Sequence, residues 1–154
     1  MLKYAVFSIS TVLVIWFLYW TEKAEQQEKK IRSWIENISS AEFSSEYTLS
    51  TKGFPYRIDT SIKKLKFFTT NGVLIAHANE ILILSLIYNL EKTVFTLGNP
   101  IELNIGNLKL RTKEGTTRSS LKRSKDTVAT FVLHSKDLKI QIGKDKYINI
   151  ANLI

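Results

Sequence analysis

The stretch Tyr56-Arg57-Ile58-Asp59-Thr60-Ser61-Ile62-Lys63 decides the fold class. Tyr56, Ile58, Thr60 and Ile62 alternate with Arg57, Asp59, Ser61 and Lys63, a period of two that assigns one set to each face of a β-strand. Just before it, Gly53 tolerates a positive φ, Pro55 fixes its own φ, and Phe54 is held extended by the proline after it. Lys52-Gly53-Phe54-Pro55 therefore reads as a rigid entry into a strand.

The same alternation recurs downstream. Ile101, Leu103 and Ile105 alternate with Glu102 and Asn104, and the parity slips at Gly106 before Leu108 and Leu110, as at a bulge. Leu138, Ile140 and Ile142 alternate with Lys139 and Gln141, while Val128–His134 and Tyr147–Ile154 are also strand-like. Ile81–Ile87 fits either a helix or a strand buried on both faces, and the strand is favoured. Asn71-Gly72, Gly98-Asn99-Pro100, Glu114-Gly115 and Gly143-Lys144-Asp145 punctuate as turns. Leu65-Lys66-Phe67, Leu108-Lys109-Leu110 and Leu138-Lys139-Ile140 each lead towards a glycine, the pattern of an antiparallel meander.

Upstream the period is helical. Tyr4–Thr21 contains no charged residue and reads YAVFSISTVLVIWFLYWT. At about 1.5 Å per residue it reaches roughly 27 Å, close to the thickness of a bilayer core. Tyr4 at one end and Trp16, Tyr19 and Trp20 at the other match an interfacial aromatic belt. The run ends Phe-Leu-Tyr-Trp-Thr-Glu-Lys, without the small residues of a cleavage site, so residues 1–21 are expected to form an uncleaved signal-anchor. Residues 22–40 come next as a helical stalk whose apolar stripe, Ile31, Trp34, Ile35 and Ile38, docks on the domain, with a break at Ser39-Ser40. Residues 41–154 form the β-rich domain, its strands beginning near Tyr47. Orientation is open on charge alone. Lys23, Lys29, Lys30 and Arg32 would keep the bulk cytoplasmic, whereas a short basic N-terminus before an apolar run exports the downstream chain.

A sheet of this kind has an apolar face that needs cover. One stalk helix is the only second layer, so the sheet either curls on itself or leaves an apolar groove. Phe54, Ile58, Ile62, Ile81, Ile83, Ile105 and Leu110 are the expected lining.

The motif Gly53-Phe54-Pro55-Tyr56-Arg57 resembles the G-F-P-[FY]-R signature of an alphaproteobacterial envelope family, a domain of unknown function numbered twenty-one twenty-five. The order of anchor helix, stalk with a tryptophan (Trp34), signature strand and alternating strands is similar over most of the chain. Members are generally longer, so the chain resembles the N-terminal portion. The family in turn resembles AsmA-like envelope proteins. That implies a mainly β fold with a curved, groove-forming antiparallel sheet, an inner-membrane anchor with the bulk periplasmic, and an association with lipid traffic and envelope integrity. It implies no catalytic residues.

Chemistry-bearing patterns are few. The sequence has 154 residues, no cysteine and six glycines. Disulfides and thiolate chemistry are thereby excluded, and neither a P-loop nor G-x-G-x-x-G nor G-x-S-x-G is present. His77 and His134 lie far apart without an acidic cluster, Glu80 reads as a lone strand residue, and Arg57 and Asp59 read as a same-face pair. No catalytic residue, metal ligand or cofactor is expected, and no enzymatic activity. The formal net charge is +8. Lys109, Arg111, Lys113, Arg118, Lys122, Arg123 and Lys125 form a basic run that reads either as a solvated surface or as a contact for anionic lipid headgroups. The run has no interleaved aromatics, so nucleic acid is not an expected partner. The expected role is a non-enzymatic, membrane-anchored envelope protein that binds or guides lipid. The alternatives are a scaffold subunit of an inner-membrane complex and a bridging component of lipopolysaccharide export.

Overall fold

The computed structural model describes residues 2–39, 43–106, 108–124, 127–142 and 146–153. Within them one helix, α1 (Leu2–Ile38), precedes seven strands: β1 (Phe43–Lys52), β2 (Arg57–Thr69), β3 (Leu74–Leu86), β4 (Asn89–Ile105), β5 (Leu108–Ser124), β6 (Thr127–Ile142) and β7 (Lys146–Leu153). The strands pair antiparallel in sequence order, an open meander. The mainly β class and the meander agree with the alternation in the sequence, and Ile81–Ile87 falls mostly within β3.

The expected anchor and stalk are one unbroken helix. Nothing between Leu2 and Ile38 is Gly or Pro, so no residue interrupts the hydrogen-bond ladder. The helix ends with Ser39 N–H donating to Ile35 O at 2.9 Å. Among the described residues no helix is long and apolar enough to cross a membrane. After Lys3 the first part of α1 is uncharged and mostly apolar, and it is exposed: Tyr4 is 80% and Phe7 74% exposed, and Val6, Ile9, Val12, Leu13, Val14 and Ile15 are exposed with them.

From Trp16 onward α1 lies along β2 in the same direction. Ala24 packs with Ile58 and Ile87, then Ile31 and Ile35 pack with Ile62, Leu65, Ala78 and Ile83. Ile35, Ile58 and Ile62 are fully buried. Of the expected docking stripe, Ile31 and Ile35 are buried but Trp34 and Ile38 remain exposed. The helix is only one layer against a sheet and covers β1 to β3, which leaves room for part of a stripe. Thr60, also fully buried on this face, is satisfied by Gln27 Nε2, which donates to its Oγ1 at 3.1 Å, and by the Thr51 hydroxyl at 3.2 Å.

Several expected turns are absent because the strands are longer than the sequence reading allowed. Gly98-Asn99-Pro100 lies inside β4 and Glu114-Gly115 inside β5. Both sites carry register shifts, between Leu97 and Glu102 on β4 and around Glu114 on β5. These residues make bulges, which accept Gly and Pro as readily as turns do. Gly98 sits close to β3 there, since a Cβ would lie 3.2 Å from Glu80 O. The Thr112 hydroxyl accepts from Ile101 N–H and donates to Asn99 Oδ1, each at 2.8 Å. Shifts between Glu46 and Thr48 and between Ala78 and Glu80 extend the row of irregularities across the sheet. The parity slip at Gly106 is the reverse case: it lies in the β4–β5 turn at φ 56°, where a bulge was expected. Asn71-Gly72 is a turn as expected; Gly143-Lys144-Asp145, Ser40 and Lys125 lie outside the described residues.

Candidate functional site

Two places on this frame gather unusual side chains. The first is a groove of about 400 Å³ between the flank of α1 and the sheet. Lys23, Gln26, Gln27, Lys30, Ile31 and Trp34 follow helical spacing and form one wall. The other wall comes from Ile83 and Ser85 on β3, Thr93 and Phe95 on β4 and Leu121 on β5, with Leu90 at its start. Pairing explains why these converge, because Ile83 is opposite Phe95 and Thr93 is opposite Leu121. Lys23 Nζ donates to Gln26 Oε1 at 3.3 Å and sits 5.6 Å from the Tyr19 ring centroid. Lys30 is exposed and has no ion-pair partner among the described residues. The groove is thus mostly apolar along the sheet, apart from Ser85 and Thr93, and carries two lysines along the helix, in the size range of sites that hold an elongated small molecule.

The second place is the end of the sheet where α1 emerges. The indole Nε1 of Trp16 donates to Pro55 O at 3.1 Å, and that of Trp20 to Arg57 O at 2.7 Å. Phe54 meets Phe17 and Trp20 edge to face, at centroid distances of 5.5 and 5.7 Å. Ile87 N–H donates to Tyr56 O at 3.0 Å, tying the β3–β4 turn to the β1–β2 turn. The Gly53–Arg57 motif is therefore the seat of the helix.

The residues expected to line a lipid groove divide accordingly. Ile58 and Ile62 are sealed beneath α1 and are inaccessible to a ligand, because the helix covers this part of the sheet. Ile83 both packs in the core and lines the groove, and Ile81 is half-buried against the same core. Phe54 stands at the helix exit. Ile105 is exposed at the opposite end of the sheet, and Leu110 borders a separate cavity of about 250 Å³ there.

Among the described residues the expected basic run is spread along β5. Lys109 and Lys122 are thirteen residues apart on one strand, about 44 Å at 3.4 Å per residue. Lys109 and Arg111 stand by the small cavity, where Arg111 Nε pairs with Glu102 at 3.0 Å. Arg118 is exposed mid-strand, and Lys122 and Arg123 lie near the helix-exit end of β5. Lys113 falls on β5, nearer its start. Sequence reasoning missed Lys23, Lys30, Phe95 and Leu121 as groove residues. The helical spacing of Lys23, Lys30 and Trp34 was a usable signal, but cross-strand register was needed to find the opposite wall.

A family model described as "Uncharacterized protein conserved in bacteria (DUF2125)" matches residues 20–147, and the chain belongs to that family. No curated protein and no solved structure matches it.

Proposed function

We propose that this member of an uncharacterised bacterial family is an inner-membrane-anchored, non-enzymatic domain. On this reading it faces the periplasm and holds one lipid molecule in the groove between α1 and β3–β5. The observation that carries the reading is the groove's composition. Its apolar wall of Ile83, Phe95 and Leu121 suits acyl chain, while Lys23 and Lys30 suit an anionic headgroup. The sheet side of the groove continues past the helix, because β5 to β7 have no helical cover among the described residues and the inner positions of β4 and β5 are half-buried or exposed. A bend at the row of bulges would make this a curved, AsmA-like channel. Anchoring rests on the uncharged, exposed start of α1, whose apolar side chains have no protein cover among the described residues.

Native mass spectrometry of the detergent-extracted chain tests the reading. One phospholipid per chain is expected, and Thr93→Trp, which fills the groove from the sheet side, is expected to remove it with the circular dichroism unchanged. A lipid-free monomer, a stable complex with another protein but no lipid, or equal lipid in the Thr93→Trp chain would overturn it. A phosphatase fused after Ile154 is expected to be active; fluorescence from a cytoplasmic reporter there, without phosphatase activity, rejects the orientation.

A further inference from the structure

The uncharged stretch of α1 is bounded by Lys3 on one side and by Glu22 and Lys23 on the other. Only residues 4–15 stand clear of the sheet, because Trp16, Phe17 and Trp20 lean on Phe54 and Pro55. Those residues span roughly 18 Å, against a hydrocarbon core of about 30 Å. For the helix to reach across, Trp16 to Thr21 must also lie in the apolar or interfacial layer. The β1–β2 turn fastened to them must then descend with them. The side chains at that end of the sheet suit such a place. Phe54, Tyr56 and Tyr88 are exposed on the two turns joined by the Ile87–Tyr56 hydrogen bond, and Leu90 is exposed at the start of β4.

Charge follows the same geometry. Lys52, Arg57, Lys92 and Lys122 are all exposed near this end. Arg57 sits opposite Leu86, Lys52 opposite Asp59, and Lys92 directly opposite Lys122. Their strand neighbours Thr51, Ile58, Thr93 and Leu121 face α1, so the four cations share the outer face. The acids near them in sequence are Asp59, already paired with Arg57 at 2.8 Å, and Glu91. Two lysines opposite each other on one face repel, and an anionic partner relieves that.

Building on the anchoring reading, we propose that this end of the sheet is a membrane-contact collar. Phe54, Tyr56, Tyr88 and Leu90 enter the interfacial layer of the bilayer that holds α1, and Lys52, Lys92 and Lys122 take anionic phospholipid headgroups, while Arg57 stays paired with Asp59. The collar supplies the apolar depth that the helix alone lacks. It replaces the long basic run of β5 as the headgroup contact, because only the part of β5 around Lys122 reaches this level.

The chain has no cysteine, so a single introduced thiol reports one position. The full chain carrying Tyr88→Cys, labelled with an environment-sensitive fluorophore, is placed in lipid nanodiscs of phosphatidylcholine alone or mixed equally with phosphatidylglycerol. Val73→Cys, exposed on the turn at the opposite end of the sheet, is the control. The label at 88 is expected to be blue-shifted and quenched several-fold more by brominated lipid than the label at 73, and more so with phosphatidylglycerol. Lys92→Glu combined with Lys122→Glu is expected to abolish that phosphatidylglycerol dependence. A chain that fails to enter the bilayer overturns anchoring and collar together. A chain that enters while position 88 is quenched no more than position 73 overturns the collar alone, the shortfall then being met by bilayer thinning. Lipid dependence that survives the double charge reversal overturns the headgroup assignment.

Discussion

Gly53→Ala isolates what the Gly53–Arg57 motif does for the helix–sheet joint. Gly53 has φ +110°, a conformation that L side chains rarely adopt, and holding a non-glycine residue in such a region costs of order 1–3 kcal/mol. A Cβ there would also lie 2.8 Å from Arg57 O and 3.0 Å from its carbonyl carbon. That oxygen is backbone at the first residue of β2 and accepts the Trp20 indole N–H at 2.7 Å. Moving it to relieve the clash disturbs that bond, worth about 1 kcal/mol. The sum is about 2–4 kcal/mol. Gly72→Ala is the control, since Gly72 has φ +76° and nothing within 4 Å of where an added methyl would sit; it retains only the conformational part, about 1–2 kcal/mol. Urea unfolding of the full chain in detergent micelles, followed by tryptophan fluorescence, reads the joint directly, because two of the three tryptophans hydrogen-bond to it. With a slope of about 2 kcal/mol per molar urea, the two variants should have midpoints about 0.5–1 M apart. Coincident midpoints would refute the close-contact argument.

Three further substitutions probe the packing and the groove. Ile35→Ala removes a fully buried side chain beneath the helix and should cost about 2–4 kcal/mol in the same titration, whereas the exposed Ile38→Ala should cost under about 1 kcal/mol. Thr60→Val strands the Gln27 amide at about 1–2 kcal/mol, and pairing it with Gln27→Leu should recover part of the loss; strict additivity in the double-mutant cycle would show that the two side chains do not interact. Lys30→Glu reverses charge on the helical wall of the groove and should shift co-purifying lipid from anionic to zwitterionic species, with unchanged headgroup composition counting against Lys30 as the headgroup contact.

Strand identity was legible where one face is apolar and the other polar. Ile58 to Ile62 declare their period because one face of β2 meets α1 and the other does not, while Ile101 to Ile105 alternate although that part of β4 has no buried face. Strand length was not legible. Gly98-Asn99-Pro100 has the composition of a turn, and only the pairing of β3 and β5 on either side shows that the strand resumes beyond it after a bulge. The extent of helical cover was equally hidden. The stripe Ile31–Trp34–Ile35–Ile38 gives the helix face, but not that Trp34 stands off the core and becomes a groove wall. The spread of the basic run along β5 was not legible either, because a strand carries its residues apart at about 3.4 Å each.

The Gly53–Arg57 motif lies where three constraints meet, which gives a physical reason for its residue types. Gly53 permits the close approach to Arg57, Phe54 presents a ring to Phe17 and Trp20, and Pro55 offers its carbonyl to Trp16. Together they clamp α1 at one height and one rotation relative to β2. The clamp also fixes the groove, since Lys23 begins one turn after Trp20 and Leu90 comes just after the β3–β4 turn that is tied to Tyr56. On the proposed reading, the groove's mouth is thereby held beside the membrane-facing turns. A lipid entering past Leu90 and Lys23 would pass from the interfacial layer to the apolar wall of Phe95 and Leu121 without exposing its acyl chain to water. Loosening the clamp should therefore reduce lipid occupancy even though Gly53 does not line the groove. Gly53→Ala chains that unfold more easily yet carry undiminished lipid would separate the joint from the groove and break this link.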